Sequence, residues 1–235
     1  RNIQVEIFTN AEVLSFINSE FDPPSFVIFW DKDIRLAKLM ESMGLKLFNS
    51  ASAIEICDDK YLTYLCLKDK GINTPLTLPV PMTFSNVDYS DFGFLDEYIK
   101  ILGLPLIIKE NFGSFGEQVH LAKTKDDALK IIASSGRRPL IFQKFIASSF
   151  GKDIRINIAG NRIVASMERY SDCGDFRANL SIGGKMNKLI PDEAASQLAL
   201  DASAAAGLDF CGVDLLYTDK GYTVSFLGQA EGEKL

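Results

Sequence analysis

Within residues 104–121, LPLIIKENFGSFGEQVHL, one lysine and two glycines stand where phosphate chemistry could use them. Lys109 closes the apolar run Leu106-Ile107-Ile108, and Val119-His120-Leu121 begins a second run after a turn through Gly113 and Gly116. Glycine reaches backbone angles that turn successive N–H groups inward, so Asn111-Phe112-Gly113-Ser114-Phe115-Gly116 can wrap an anion. Lys109 adds a full positive charge at the edge of that turn. The same residues also suit an ordinary hairpin in which the glycines only make the turn. The commoner nucleotide signatures are absent: no G-x-x-x-x-G-K-S/T spacing occurs, and no G-x-G-x-x-G opens a helix after a strand. Phosphate held here would lie under a flap between two strands.

Three further groups have chemical potential. Asp153 and Arg155 share one face of a strand by period two, with Ile154 and Ile156 on the other. Arg169, Asp175, Arg177 and Asn179 gather on and before a glycine-bearing loop. Two arginines there could hold phosphate or carboxylate bidentately, or could simply be solvated. Asp214 stands between Gly212-Val213 and Leu215-Leu216, among residues that favour burial. A carboxylate in that setting is costly unless it is paired or bound to a cation.

Composition narrows the classes. The chain has 235 residues, 47% of them hydrophobic, which is enough for one large domain or several small ones. A net charge of −6 argues against general nucleic-acid binding, which needs a basic face. Cys57, Cys66, Cys173 and Cys211 show no C-x-x-C spacing and His120 is the single histidine, so neither a zinc site nor a histidine-based triad is expected. With no long apolar run, no membrane span is expected, and the reading is a cytoplasmic protein with reduced thiols.

The elements that must position these groups follow from periodicity and punctuation. Residues 3–8 alternate like a strand, and Asn10 can cap a helix through Ile17, before Pro23-Pro24. Residues 25–30 read as a buried strand, 31–43 as a helix ended by Gly44, and 45–48 as another strand. That order predicts a small parallel α/β sheet, which looks cut at its front. A Ser/Ala-rich turn, a helix over 59–70 and a joint at Ile72-Asn73-Thr74-Pro75 come next. Helices are expected over 94–102, over 126–134 with Thr124 as cap, and over 191–206. Strands are expected over 140–146, over 153–158 and 162–167 around Ala159-Gly160-Asn161, and over 213–217 and 222–226.

Taken in order, the lysine, glycine flap, extended Gln143–Ile146 segment, Asp153/Arg155, arginine–asparagine loop and strand aspartate resemble the ATP-grasp fold, and within it the RimK-type glutamate ligases. The resemblance runs over about residues 60–222. It is most specific in IFQKFIASSFGKDIRINIAGNRIVASMERYSDCGDFRANLSIGG, through its D-x-R and G-D-F-R-x-N elements, and in GVDLLY. The implied class is α/β and α+β: two α+β subdomains clasping ATP, at 76–140 with the glycine flap and at 141–235, preceded by a truncated parallel α/β domain at 1–75.

The resemblance also implies roles. Lys60 and Lys109 would contact ATP phosphates, with Gly113, Ser114, Phe115 and Gly116 closing over them. Gln143, Lys144, Phe145 and Ile146 would form the adenine hinge, although the family usually has glutamate at Lys144. Asp153 would bind ribose, Arg177, Ala178 and Asn179 would lie by the reacting phosphate, and Arg155, Arg169 and Arg177 would form the catalytic cation set. Asp214 would bind Mg²⁺ or Mn²⁺. At the two further ligand positions of the family pattern, a Glu and an Asn, this chain has Phe226 and Gly228; Glu231 and Glu233 repeat the spacing but would need an insertion. The implied reaction activates a carboxylate as an acyl phosphate, which an amine then displaces. The expected partners are an amino acid, glutamate foremost, and a carboxylate on a metabolite, peptide or protein, with residues 181–185 near the acceptor; a homo-oligomer is also expected. Two alternatives are an ATP-binding pseudoenzyme with an incomplete metal site and a lysine-biosynthesis-type ligase acting on a carrier protein.

Overall fold

Strand alternation and an alanine-rich helix account for most of the architecture. The computed structural model describes residues 3–16, 23–84, 87, 89, 91–113, 116 and 118–229. In chain order these form α1 (Asn10–Phe16), β1 (Val27–Ile28), α2 (Ile34–Ser42), β2 (Leu47–Phe48), α3 (Ala51–Asp58) and α4 (Lys60–Asp69). Then come β3 (Thr77–Pro79), α5 (Gly93–Leu102), β4 (Leu106–Glu110), β5 (Val119–Ala122), α6 (Lys125–Ser135) and β6 (Leu140–Lys144). The chain continues through β7 (Lys152–Ala159), β8 (Arg162–Tyr170), β9 (Lys185–Lys188), α7 (Glu193–Ala205), β10 (Phe210–Thr218) and β11 (Gly221–Gly228).

Three sheets result. β1 and β2 pair in parallel, while β3-β6-β4-β5 and β11-β10-β7-β8-β9 are antiparallel in every pairing. In the larger sheet, Ile154, Ile156 and Ile158 of β7 and Val213 and Leu215 of β10 turn to one side. There they meet Ala195, Ala199, Ala202 and Ala206, small residues at helical spacing that let α7 lie close against the strands. Ala53, Cys57 and Leu67 of α3 and α4 join the same core. The four-stranded sheet buries Leu106, Ile108 and Phe142 against Leu95 and Leu102 of α5 and Ala128 and Ile132 of α6.

Specific polar ties fasten these parts. Asn49 is wholly buried; its Oδ1 accepts from the backbone N–H groups of Asp209 (2.6 Å) and Phe210 (3.0 Å), and its Nδ2 donates to the Phe210 carbonyl at 3.0 Å. Trp30 stacks on Phe210 with ring centroids 5.2 Å apart. At the expected joint, the Asn73 carbonyl accepts from Val224 N, and its side chain donates to the Tyr222 carbonyl at 2.7 Å.

Several expectations need revision. Residues 3–8 form no strand, and Ile7 is 92% exposed, because alternation supplies a face without supplying a neighbour to pair with. The strand expected over 25–30 shrinks to β1, with Ile28 and Trp30 each 59% exposed rather than buried. The Ser/Ala stretch read as a turn is α3, because Ser50 caps it by accepting from Ala53 N at 3.2 Å. The short strands β3 and β9 were absent from the sequence-based expectations; both lie at sheet edges, where little burial pattern is imposed. The end of the first helix, at Ile17, lies outside the described residues. Thr124 caps α6 as expected, with Asp127 completing a capping box.

Candidate active site

The two antiparallel sheets each present one face to a shared cleft. On β7 the residues opposite the isoleucines are Asp153 and Arg155. Their cross-strand partners are Arg169 of β8, which faces Asp153, and Asp214 of β10, which faces Arg155. Arg169 is completely buried and donates through Nε and Nη2 to both carboxylate oxygens of Asp153, at 2.8 Å each. Its Nη2 also lies 2.9 Å from Asp214 Oδ2, and Arg155 Nε lies 2.9 Å from Asp214 Oδ1. The two carboxylates are thus held by two guanidiniums, the geometry in which buried charge is tolerated. Burial pushes the Asp153 carboxyl up, with Arg169 opposing. Burial alone would favour loss of the Arg169 proton, but Asp214 and Asp153 outweigh it and hold the guanidinium charged.

From the other sheet, alternation on β4 turns Ile107 and Lys109 to the cleft while Leu106 and Ile108 enter the core. Lys109 Nζ donates to the Ser225 carbonyl at 3.4 Å. Ser225 is available because the β10–β11 register passes from Asp214↔Phe226 to Leu215↔Val224, leaving it as a bulge. Lys60 opens α4, whose N-terminus Asp59 caps, and its Nζ donates to the carbonyls of Gly113 (2.7 Å) and Asn111 (3.3 Å). Burial lowers both lysines to a pKa of about 8, and each is further lowered by a neighbouring lysine: Lys32 for Lys60, and Lys60 for Lys109.

The glycine turn meets the arginine–asparagine loop across the cleft. Gly116 has φ +76° and packs so closely on Asn179 that a Cβ would fall 2.7 Å from its Oδ1. Arg177 Nη1 donates to the Gly116 carbonyl at 3.0 Å, while Nε and Nη2 are held by Asp175 at 3.1 and 2.9 Å. Its guanidinium lies 5.4 Å from the Phe176 ring centroid. Lys144, the last residue of β6, and the following Phe145 and Ile146 line the cleft, and Gln143 donates from Nε2 to Thr77 Oγ1 at 2.9 Å.

A model of the RimK-like ATP-grasp domain matches residues 57–232. The chain belongs to the RimK-like ATP-grasp family. Human N-acetylaspartylglutamate synthase A is 35% identical over 194 residues, which is 81% of this chain and 48% of that protein. A probable alpha-L-glutamate ligase of Coxiella burnetii is 34% identical over 201 residues, 84% of this chain and 64% of the relative. The chain spans about half the length of the first of these. Among solved structures, D-alanine–D-alanine ligase of Bacillus anthracis superposes with a TM-score of 0.73 at 17% identity, covering 96% of this chain and 75% of the other. A RimK-domain ATP-grasp protein of Sphaerobacter thermophilus gives 0.65 at 20% identity, with 84% and 68% covered. Both likenesses establish the ATP-grasp fold.

Most of the expected site residues of this ATP-grasp chain line the one cleft: Lys60, Lys109, Gly113, Gly116, Gln143, Lys144, Phe145, Ile146, Asp153, Arg155, Arg177, Ala178, Asn179 and Asp214. Ser114 and Phe115 lie outside the described residues. Arg169 is the exception among the expected catalytic cations: it lies behind the wall, where it can position Asp153 and Asp214 but meets no solvent. Residues not anticipated also line the cleft, among them Lys152, Phe176 and Ser225. Phe176 stood inside the G-D-F-R-x-N element and could have been read from it; the Ser225 carbonyl enters through a bulge that no residue type announces.

The family implies a divalent metal, and the residues of this ATP-grasp site do not fit one in the expected way. Both oxygens of Asp214 lie against guanidiniums. Its partner across the strands is the Phe226 ring, and Gly228 has no side chain. Among the described residues no group of three His, Cys, Asp or Glu could hold a metal ion; Glu231 and Glu233 lie outside them. Among the described residues, too, no helix is long and apolar enough to cross a membrane.

Proposed function

We propose that this chain carries the nucleotide-binding core of an ATP-dependent carboxylate–amine ligase that transfers glutamate. The observation that carries the reading is the convergence of Lys60, Lys109, Arg155 and Arg177 with the glycine turn on one cleft between two sheets. In this reading, residues 76–140 and 141–235 are the two halves that close on ATP, and 1–75 precede them. The lysines hold phosphate oxygens, and the turn at Gly113 and Gly116 excludes water above them. Residues 144–146 take the purine, and Asp153, steadied by Arg169, faces the ribose.

The chemistry is two displacements. A substrate carboxylate oxygen bonds to the terminal phosphorus as the bond to ADP breaks. The amine nitrogen of glutamate then bonds to the acyl carbon, the acyl–oxygen bond breaks, and phosphate leaves as the amine gives up a proton. Neither step needs a nucleophilic side chain. The protein contributes alignment and fixed positive charge, which Arg155 and Arg177 supply in this reading. Glutamate is favoured as the amine because it appears in the names of the human synthase and of the Coxiella ligase.

The second reading is a nucleotide-binding protein that no longer transfers phosphate, favoured by Phe226 facing Asp214 and by Gly228, without a side chain, facing Gly212. Phosphate release from ATP, measured with glutamate and a panel of dicarboxylate and peptide acceptors, separates the two. Release dependent on both glutamate and an acceptor supports ligation. ATP bound without release under every acceptor supports the second reading. Lys109→Met should weaken ATP binding at least about tenfold; unchanged binding would remove that lysine from the site.

A further inference from the structure

What balances phosphate charge in this cleft is decided around Phe226. Its ring lies 5.6 Å from the Arg155 guanidinium and folds back over Gly228, where a Cβ would fall 2.6 Å from the ring Cζ. Arg155 in turn runs across Gly212, where a Cβ would fall 2.1 Å from its Nη1. Two glycines and an aromatic ring therefore form a slot for one guanidinium, and Asp214 Oδ1 lies beside it at an ion-pair distance of 2.9 Å without accepting a hydrogen bond. Any larger residue at 212 or 228 would displace the guanidinium or the ring.

Charge points the same way. Among the described residues the cleft is lined by six basic side chains, Lys60, Lys109, Lys144, Lys152, Arg155 and Arg177, against two acidic ones, Asp153 and Asp214. Both acids are already bound by arginine. This cationic lining belongs to a chain whose net charge is −6. A divalent ion at Asp214 would sit between two guanidiniums and find no second carboxylate on β11. Hard cations of that kind favour one or two carboxylates beside the phosphates, and the single one here, although its Oδ1 accepts no hydrogen bond, already has a guanidinium nitrogen 2.9 Å from each oxygen.

We propose that this cleft holds its nucleoside polyphosphate with side-chain cations where a divalent ion would otherwise stand, Arg155 in the Gly212–Phe226–Gly228 slot foremost, so that the free nucleotide binds without Mg²⁺. The inference rests on the nucleotide-binding reading and concerns how that same site neutralises its ligand. Arg155 presents its charge at a fixed place, because the ring and the carboxylate leave it few other conformations.

The test is calorimetric titration with a non-hydrolysable ATP analogue, in Mg²⁺ and separately in EDTA, on the chain itself and on two variants. The chain should bind within about threefold equally in both media, and Arg155→Gln should weaken both by at least about tenfold. Phe226→Glu with Gly228→Asn returns oxygen ligands to β11 and should make binding tighter in Mg²⁺ than in EDTA. Circular dichroism shows whether that variant folds; if it does not, the wild-type pair of titrations decides alone. Binding more than about tenfold tighter in Mg²⁺ by the unaltered chain would overturn the inference while keeping the nucleotide reading. No binding in either medium would overturn both.

Discussion

Replacing Arg169 by methionine tests the load that its guanidinium carries. Methionine keeps much of the aliphatic volume and removes the charge. Arg169 is wholly buried and makes two 2.8 Å hydrogen bonds to Asp153 and one 2.9 Å contact to Asp214. Asp214 would retain Arg155, whereas among the described residues Asp153 would lose the bridge at 2.8 Å that holds it. Removing one partner of a buried pair costs about 3–5 kcal/mol, because the other charge stays behind without compensation. For a chain of this size that corresponds to a fall in melting temperature of roughly 6–20 °C.

The loss should depend on pH in one direction. Burial already pushes the Asp153 carboxyl up against the pull of Arg169. Without Arg169 it rises further above its unfolded value, so folding takes up a proton. Such a group stabilises the fold fully below its unfolded pKa, and that contribution is lost as pH rises through the folded pKa. The deficit measured by urea denaturation should therefore be largest near about pH 7 and shrink towards about pH 4. Asp153→Asn combined with Arg169→Met should cost less than Arg169→Met alone near neutrality, since the stranded charge is gone. A deficit below about 1 kcal/mol, or one equal at both pH values, would refute the account of Arg169 as the clamp on buried carboxylates.

Two other outcomes follow from the same geometry. Lys60 and Lys109 both lose their protons near a pKa of about 8 in the free protein, so nucleotide affinity should fall as pH rises through that value. Titrations in two buffers of different ionisation enthalpy should show proton uptake on binding near it, and no uptake would remove the lysines from phosphate contact. Asn49→Ala leaves the half-buried backbone groups of Asp209 and Phe210 without their side-chain partner. It should destabilise the chain by about 3 kcal/mol in urea denaturation, whereas a neutral result would show that the tie to β10 carries no weight.

Local chemistry made much of the molecule legible. The alternation of β7, the Thr124 cap of α6 and the glycine-closed helices are decisions that a few neighbouring residues make among themselves. The lysine, the flap glycines and the two aspartates stood out for the same reason: charge beside apolar strand residues, and glycine in a turn, are unusual wherever the chain goes. Elements that depend on a distant partner were less visible. Residues 3–8 alternate without pairing, α3 hides behind a serine that serves as cap, and β3 and β9 are edges defined only by their neighbours.

At the site the division is sharper. Residue types and order along the chain were sufficient to mark Lys109, Asp153, Arg155, Arg177 and Asp214, while Lys60 was added only by the family resemblance. Only the tertiary structure decided that Arg169 stands behind the wall, that Asp214 is shared by two arginines, and that a bulge turns the Ser225 carbonyl to Lys109. It alone shows the Phe226 ring lying over Gly228 and beside Arg155. The reason is physical: a side chain's type and its face of a strand are local properties, but its charge balance depends on which strands lie beside it and in what register.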